Sequence, residues 1–219
     1  MKSLLIFDLD GTLLDTIGDM AASTNYALRI CGFPTHETSA YNFFIGNGIQ
    51  KLFERVLPEG KKSLENMLQL REHFLEYYGA HSSELTIPYP GIPDLLQNLQ
   101  SEGIKLAIAS NKYQKGTEEL IKYFFPEIKF EAVFGQREGI PTKPDPTIVH
   151  DILSVACVNK QDVLYIGDSG VDMQTAQNAG IDAVAVCWGF RPRSEMEAFS
   201  PKYIVEKPEE ILQIVESFD

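Results

Sequence analysis

The sequence predicts an α/β protein: a parallel sheet with helices on both faces, interrupted after its first strand by an all-helical insertion. Two observations carry this. Short apolar runs at 4–7, 104–109, 130–134, 163–166 and 183–186 alternate with helical periodicity, which is the pattern of buried strands joined through helices. Between the first two runs that alternation stops, and residues 15–86 carry helical signals only. A length of 219 residues with 44% hydrophobic and 23% charged residues suits one sizeable core and a smaller one.

Taken in order, the run at 4–7 is too short for a helix and ends abruptly at Asp8 and Asp10. Gly11 permits a tight turn and Thr12 offers a hydroxyl and an N–H, so two carboxylates are held around a bent backbone. Like charges this close call for a cation or a shared proton. A calcium loop starting at Asp8 would need a bidentate Glu at its twelfth position, and Asp19 stands there. Thr16-x-x-Asp19 reads as a capping box for a helix carrying Ile17, Met20, Ala21, Thr24, Ala27, Leu28 and Cys31, stopped by Gly32 and Pro34. Helices follow at 49–57 and 63–79. The second is expected to bury a stripe of Leu64, Met67, Leu68, Arg71, Phe74, Leu75 and Tyr78. Pro88-Tyr89-Pro90-Gly91 ends the helical pattern, which divides the chain into a core of 1–14 with 87–219 and a helical domain of 15–86. A strand at 203–205 and a helix after Pro208 close the far edge.

In an open parallel sheet, ligands bind beyond the carboxyl ends of the strands. Ser110-Asn111-Lys112 follows the second strand, with a hydroxyl and N–H groups able to hold a phosphoryl oxygen. Thr142-Lys143-Pro144-Asp145-Pro146 sets a lysine just before a helix. Gly167-Asp168-Ser169-Gly170-Val171-Asp172 repeats the opening design of strand, small residue and acid, with a second acid four residues on.

These four pieces, in this order, resemble the haloacid dehalogenase-like superfamily of phosphohydrolases, and the resemblance covers essentially the whole chain. It implies a Rossmann-like core with the helical insertion as a cap. The phosphoglycolate phosphatase group looks most similar, through residues 19–28, the loop Ile45-Gly46-Asn47-Gly48 and Trp188-Gly189-Phe190. Carried over by position, the resemblance makes Asp8 the nucleophile that becomes an aspartyl-phosphate and Asp10 the acid and then the base. Thr12, Ser110 and Asn111 would bind substrate, and Lys143 would offset charge on the phosphoryl group. Mg²⁺ would be held by Asp8, the backbone carbonyl of Asp10 and Asp168, supported by Asp172; oxygen donors without His or Cys favour it over zinc or copper. The substrate would be a small phosphorylated metabolite. Rival enzymes of the same fold are a sugar-phosphate mutase, which keeps the same core residues, a pyrophosphatase, a nucleotidase, and a phosphonate or haloacid hydrolase. A receiver-like phospho-aspartate switch is the rival of another class, although receivers carry their acidic pair and their phosphorylated Asp on different strands.

A net charge of −12 without a Lys/Arg block argues against nucleic acid or an anionic membrane as partner. Cys31, Cys157 and Cys187 are far apart and in no C-x-x-C pair, which reads as reduced thiols in the cytoplasm. No signal-peptide pattern and no 18-residue apolar stretch is present, so neither secretion nor membrane insertion is expected. A monomer or homodimer is expected. Gly46-Asn47-Gly48 lacks the third glycine of a dinucleotide loop, and there is no Gly-x₄-Gly-Lys-Ser/Thr loop. His36, His73, His81 and His150 read as surface or packing residues, and Arg191 and Arg193 as solvent-exposed. Cap movement is expected about 13–17 and 84–90.

Overall fold

A computed structural model describes residues 2–217. Its main sheet is built from β1 (Leu4–Phe7), β4 (Lys105–Tyr113), β5 (Phe130–Gln136), β6 (Val163–Gly167), β7 (Asp182–Val186) and β8 (Tyr203–Val205). The strands are all parallel and lie in the order β5-β4-β1-β6-β7-β8. β1 therefore sits where the strand order reverses, the crevice position for a ligand in such sheets.

Every residue of β1 is buried because both faces are covered. Leu5 and Phe7 face α5 (Ile92–Ser101), α6 (Gln114–Phe124) and α10 (Glu209–Glu216). Leu4 and Ile6 face α7 (Thr147–Ala156), α8 (Gly170–Ala179) and α9 (Arg193–Glu197). The alternation of strand side chains between two apolar layers is why this run reads as uniformly hydrophobic.

A third hydrophobic cluster belongs to the insertion, whose helices are α1 (Ile17–Ile30), α2 (Tyr41–Phe44), α3 (Gly48–Val56) and α4 (Leu64–His81). The apolar stripe expected on α4 needs correction. Leu70, Phe74 and Tyr78, spaced by one turn, go into this cluster, while Leu64 and Leu68 remain 69% and 55% exposed. Leu70, absent from the expected stripe, lies on the buried face, so packing turns the helix away from Leu64 and Leu68. They line an open groove with Ile49, Arg71 and Tyr113 instead.

The capping box expected at Thr16 and Asp19 does not form. Thr16 Oγ1 donates to Asp10 at 2.7 Å. Asp19 accepts from Leu85 N at 2.9 Å, Thr86 N at 2.8 Å and Thr86 Oγ1 at 2.6 Å. Both side chains are buried between the two chain crossings, where these partners outcompete the helix end. The crossings also pair with each other: β2 (Leu14–Asp15) runs antiparallel to β3 (Ile87–Pro88), and Tyr89 N donates to Leu13 O at 3.1 Å. Among the described residues, no helix is long and apolar enough to cross a membrane. The three cysteines are free.

Asp19→Ala would leave two backbone N–H groups and a hydroxyl without their acceptor in a buried crossing. The expected cost is about 3 kcal/mol, read as a lowered urea midpoint. A loss below about 1 kcal/mol would show that these hydrogen bonds contribute little net stability.

Candidate active site

The carboxyl ends of β4, β1 and β6 converge, and the residues singled out at each strand end meet there. Asp8 leaves β1 with its N–H on Ile166 O at 2.9 Å, which locks the loop to β6. Lys143 Nζ lies 2.9 Å from Asp8 Oδ1 and 2.7 Å from Asp172 Oδ1. It donates also to Ala109 O at 2.9 Å, so its three N–H groups are all engaged. Burial works against its charge, but Asp172 and Asp8 outweigh burial and hold the ammonium well above its ordinary pKa.

Asp172 has two duties. Its Oδ2 accepts from Ser169 N at 3.2 Å while Ser169 Oγ accepts from Asp172 N at 3.3 Å, a capping box on α8, and Ser169 Oγ also donates to Oδ2 at 2.5 Å. Its Oδ1 meanwhile faces Lys143 and Tyr165 Oη, the latter at 3.3 Å. The helix cap thus fixes the carboxylate that orients the lysine.

Asp168 Oδ2 accepts from Phe190 N at 2.8 Å and Oδ1 from Thr12 Oγ1 at 3.3 Å. Only small residues allow the approach of the β1 loop to it. Gly11 has φ +89, and a Cβ there would stand 2.4 Å from Asp168 Oδ2. Thr12, expected on the substrate, has its hydroxyl on this acid and its N–H on Leu9 O at 3.3 Å.

One carboxylate oxygen each from Asp8, Asp168 and Asp172 lie within 4.8 Å of one another. Burial pushes the Asp8 carboxyl up to about 7 against the pull of Lys143, with Asp172 and Asp10 pushing the same way as burial. Asp168 is raised well above the usual range by burial, then by Asp172 and Asp8. Three buried carboxylates around one ammonium leave two negative charges to be balanced by protons or a cation. The donors are all oxygens, so the cluster could hold a hard divalent cation. Both oxygens of Asp172 already accept hydrogen bonds, which fits it for supporting such a site.

The Asp10 carboxylate stands outside this cluster. Lys112 Nζ contacts its two oxygens at 3.0 and 3.1 Å, and Thr16 completes the cradle. Sequence reading assigned Lys112 no part. Its available signal was a lysine following two polar residues on the continuation of a buried strand, since β4 runs on irregularly to Tyr113 instead of ending at Ala109. Ser110 Oγ accepts from Lys112 N at 3.1 Å. The Asn111 side chain accepts from Lys143 N at 2.9 Å and donates to Lys143 O at 3.2 Å and Gly46 O at 3.3 Å, tying the lysine loop to the insertion.

Arg191 also departs from the expected exposure. Its side chain is 11% exposed, with Nη2 on Ile45 O at 3.0 Å and the guanidinium 5.6 Å from the Phe43 ring centroid. The insertion's 43–46 loop folds over it, a contact between segments far apart in sequence. Arg193 is half exposed, as expected, and paired with Glu197 and Glu206.

Between core and insertion lies a cavity of about 30 Å³, room on the scale of single water molecules. Asp8, Asp10, Ser110 and Lys112 line it from the core, and Met20, Ile45, Ile49, Leu52 and Phe74 from the insertion.

The sequence profile described as haloacid dehalogenase-like hydrolase matches residues 5–186. A phosphoglycolate phosphatase of Pseudomonas putida is 32% identical over 94% of this chain and 77% of its own length. One from Mesorhizobium japonicum is 31% identical over 93% and 90%. Among solved structures, a chain from Lactobacillus delbrueckii subsp. bulgaricus superposes with a TM-score of 0.90 at 31% identity, covering 96% of both. A haloacid dehalogenase-like family hydrolase from Streptococcus pneumoniae gives 0.87 at 25% identity, over 97% of this chain and 98% of its own.

The raised Asp8 pKa sets a stability test. The folded value of about 7 lies above the ordinary 3.8, so the stability contributed by its protonated form is present below about 4 and lost as pH rises through about 7. A cation held by these acids would replace the proton. Millimolar Mg²⁺ is therefore expected to raise Tm by roughly 3–10 °C at pH 8 and by clearly less at pH 5. An equal shift at both pH values, or none, contradicts a cation site built on these acids.

Proposed function

The chain belongs to the haloacid dehalogenase-like hydrolases, and we propose from that premise that it is a Mg²⁺-dependent phosphomonoesterase for a small phosphorylated metabolite of the phosphoglycolate kind, working through an aspartyl-phosphate on Asp8. The observation that carries this reading is the pairing of Asp8 with Lys143 at 2.9 Å, beside a cavity that Asp10 also lines.

Lys143 holds Asp8 in place with one oxygen engaged, leaving the other to attack phosphorus as the bond to the ester oxygen breaks. Ser110 Oγ, lining the same cavity, receives a phosphoryl oxygen, and Lys143 offsets the charge gathered on the phosphoryl group. Asp10 gives a proton to the departing alkoxide, then takes one from the water that opens the acyl phosphate. Asp8, the Asp10 carbonyl and Asp168, with Asp172 in support, would hold a metal, whose positive charge would let a carboxylate approach a phosphate dianion.

Residues 15–86 act in this reading as a cap over the core of 1–14 and 87–219. In support, the insertion has its own hydrophobic cluster, joins the core through the paired crossings β2 and β3, and walls the cavity with apolar side chains. The cavity as it stands has room only on the scale of water molecules, so the cap must open to admit substrate.

Asp8→Asn is expected to lower turnover of an alkyl phosphate by at least about 10⁴-fold while the circular dichroism spectrum stays that of the folded protein, and excess chelator to stop the wild-type enzyme until Mg²⁺ is restored. Asp10→Asn should lose roughly 10²–10⁴-fold on alkyl phosphates and much less on p-nitrophenyl phosphate, whose leaving group needs no proton. Substantial activity of Asp8→Asn removes the covalent route, activity in excess chelator removes the metal, and equal losses with Asp10→Asn remove the acid role.

A further inference from the structure

Lys112 is the cation that the phosphatase reading leaves without a part. Its side chain is 3% exposed, and it lines the cavity on the side of Asp10, the residue assigned to the departing alcohol. Two of its contacts go to the Asp10 oxygens, but the remaining one is Met20 Sδ at 3.7 Å, a weak acceptor. Its ammonium stands 5.0 Å from the Tyr78 ring centroid, beside a buried Tyr78 hydroxyl that finds no hydrogen bond of good geometry among the described residues. The rest of the insertion's wall is apolar. Lys143, by contrast, has no donor to spare, since Asp8, Asp172 and Ala109 O take all three. Orienting Asp10 does not account for Lys112 alone, because Thr16 Oγ1 already binds that carboxylate at 2.7 Å.

We propose that Lys112 is the specificity-determining residue of the alcohol side: its ammonium receives a carboxylate carried by the leaving alcohol, in place of the Met20 sulfur. The inference rests on the phosphatase reading and names what selects the substrate within it. Asp10 must reach the ester oxygen, and Lys112 Nζ lies 3.0 Å from Asp10. The carboxylate therefore sits about one carbon from the ester-bearing carbon, which defines the phosphoesters of short 2-hydroxy acids. A longer acid would push its charge toward the apolar side chains of Ile45, Ile49 and Leu52. An uncharged alcohol would leave the third donor of a buried ammonium on the weakly accepting Met20 sulfur, and a site built around such a group discriminates against an analogue that lacks the partner.

The test compares kcat/KM on 2-phosphoglycolate and on ethyl phosphate, alkyl esters with the same number of carbons and the same demand on Asp10. The wild-type enzyme with Mg²⁺ is expected to prefer the carboxylate by about 100-fold or more. Lys112→Met should reduce 2-phosphoglycolate turnover by about 100-fold, ethyl phosphate by about tenfold at most, and so collapse the preference. Lys112→Arg, which keeps the charge, should retain part of it. Equal losses on both esters in Lys112→Met would overturn the proposal and leave Lys112 acting only through Asp10. Should Lys112→Met fail to fold, the wild-type ratio decides, and a preference below about fivefold overturns the proposal. No turnover of either ester or of p-nitrophenyl phosphate by the wild-type enzyme would overturn the phosphatase reading itself.

Discussion

One ammonium among buried carboxylates is the constraint on which the rest of the site depends. Lys143 meets Asp8 and Asp172, and Asp168 stands with them in a space from which water is largely excluded. Carboxylates this close repel one another strongly in a low-dielectric setting, so each is held by a device of its own. The α8 cap fixes Asp172, the Phe190 N–H fixes Asp168, and the hydrogen bond to Ile166 fixes the start of the Asp8 loop. The fold supplies these anchors because β1 is the central strand, buried on both faces and flanked by the strands that carry the other pieces.

The insertion is tied to the core at points that also touch the site. Asn111 bonds both Lys143 and the Gly46 carbonyl. The loop after β7 places Phe190 on Asp168 and Arg191 on Ile45 in consecutive residues. Trp188 Nε1 adds a bond to Thr12 O at 3.0 Å. The proposed cap and the proposed metal cluster therefore share backbone segments, and movement of one is mechanically linked to placement of the other. The cavity left between them is apolar toward the insertion and charged toward the core, the division expected where binding and chemistry are assigned to different parts of the chain.

Much of this was legible because it is local. Strands announced by apolar runs, acids announced by their position at strand ends, and helices announced by periodicity were found where expected, with shifts of a few residues at their ends. The misreadings have a common cause. Thr16 and Asp19 have the spacing of a capping box, yet each has a better partner across a chain crossing. The working capping box is at Ser169 and Asp172, where the second acid of the last motif also reaches Lys143. Arg191 was read as exposed because nothing near it in sequence covers it, whereas the 43–46 loop does. Leu64 and Leu68 fit the periodicity of α4 but not the packing of the cluster that Leu70, Phe74 and Tyr78 enter.

The sequence by itself determined the α/β class and the parallel sheet, because hydrophobic period and turn chemistry act over a few residues. Only the tertiary structure decided which charges pair. That Lys112 takes Asp10 while Lys143 takes Asp8 and Asp172 depends on which strand lies beside which, and on how the insertion closes over them. Electrostatic partners in a buried site are chosen by distance in space, and distance between segments more than a hundred residues apart is not written in the order of their residues.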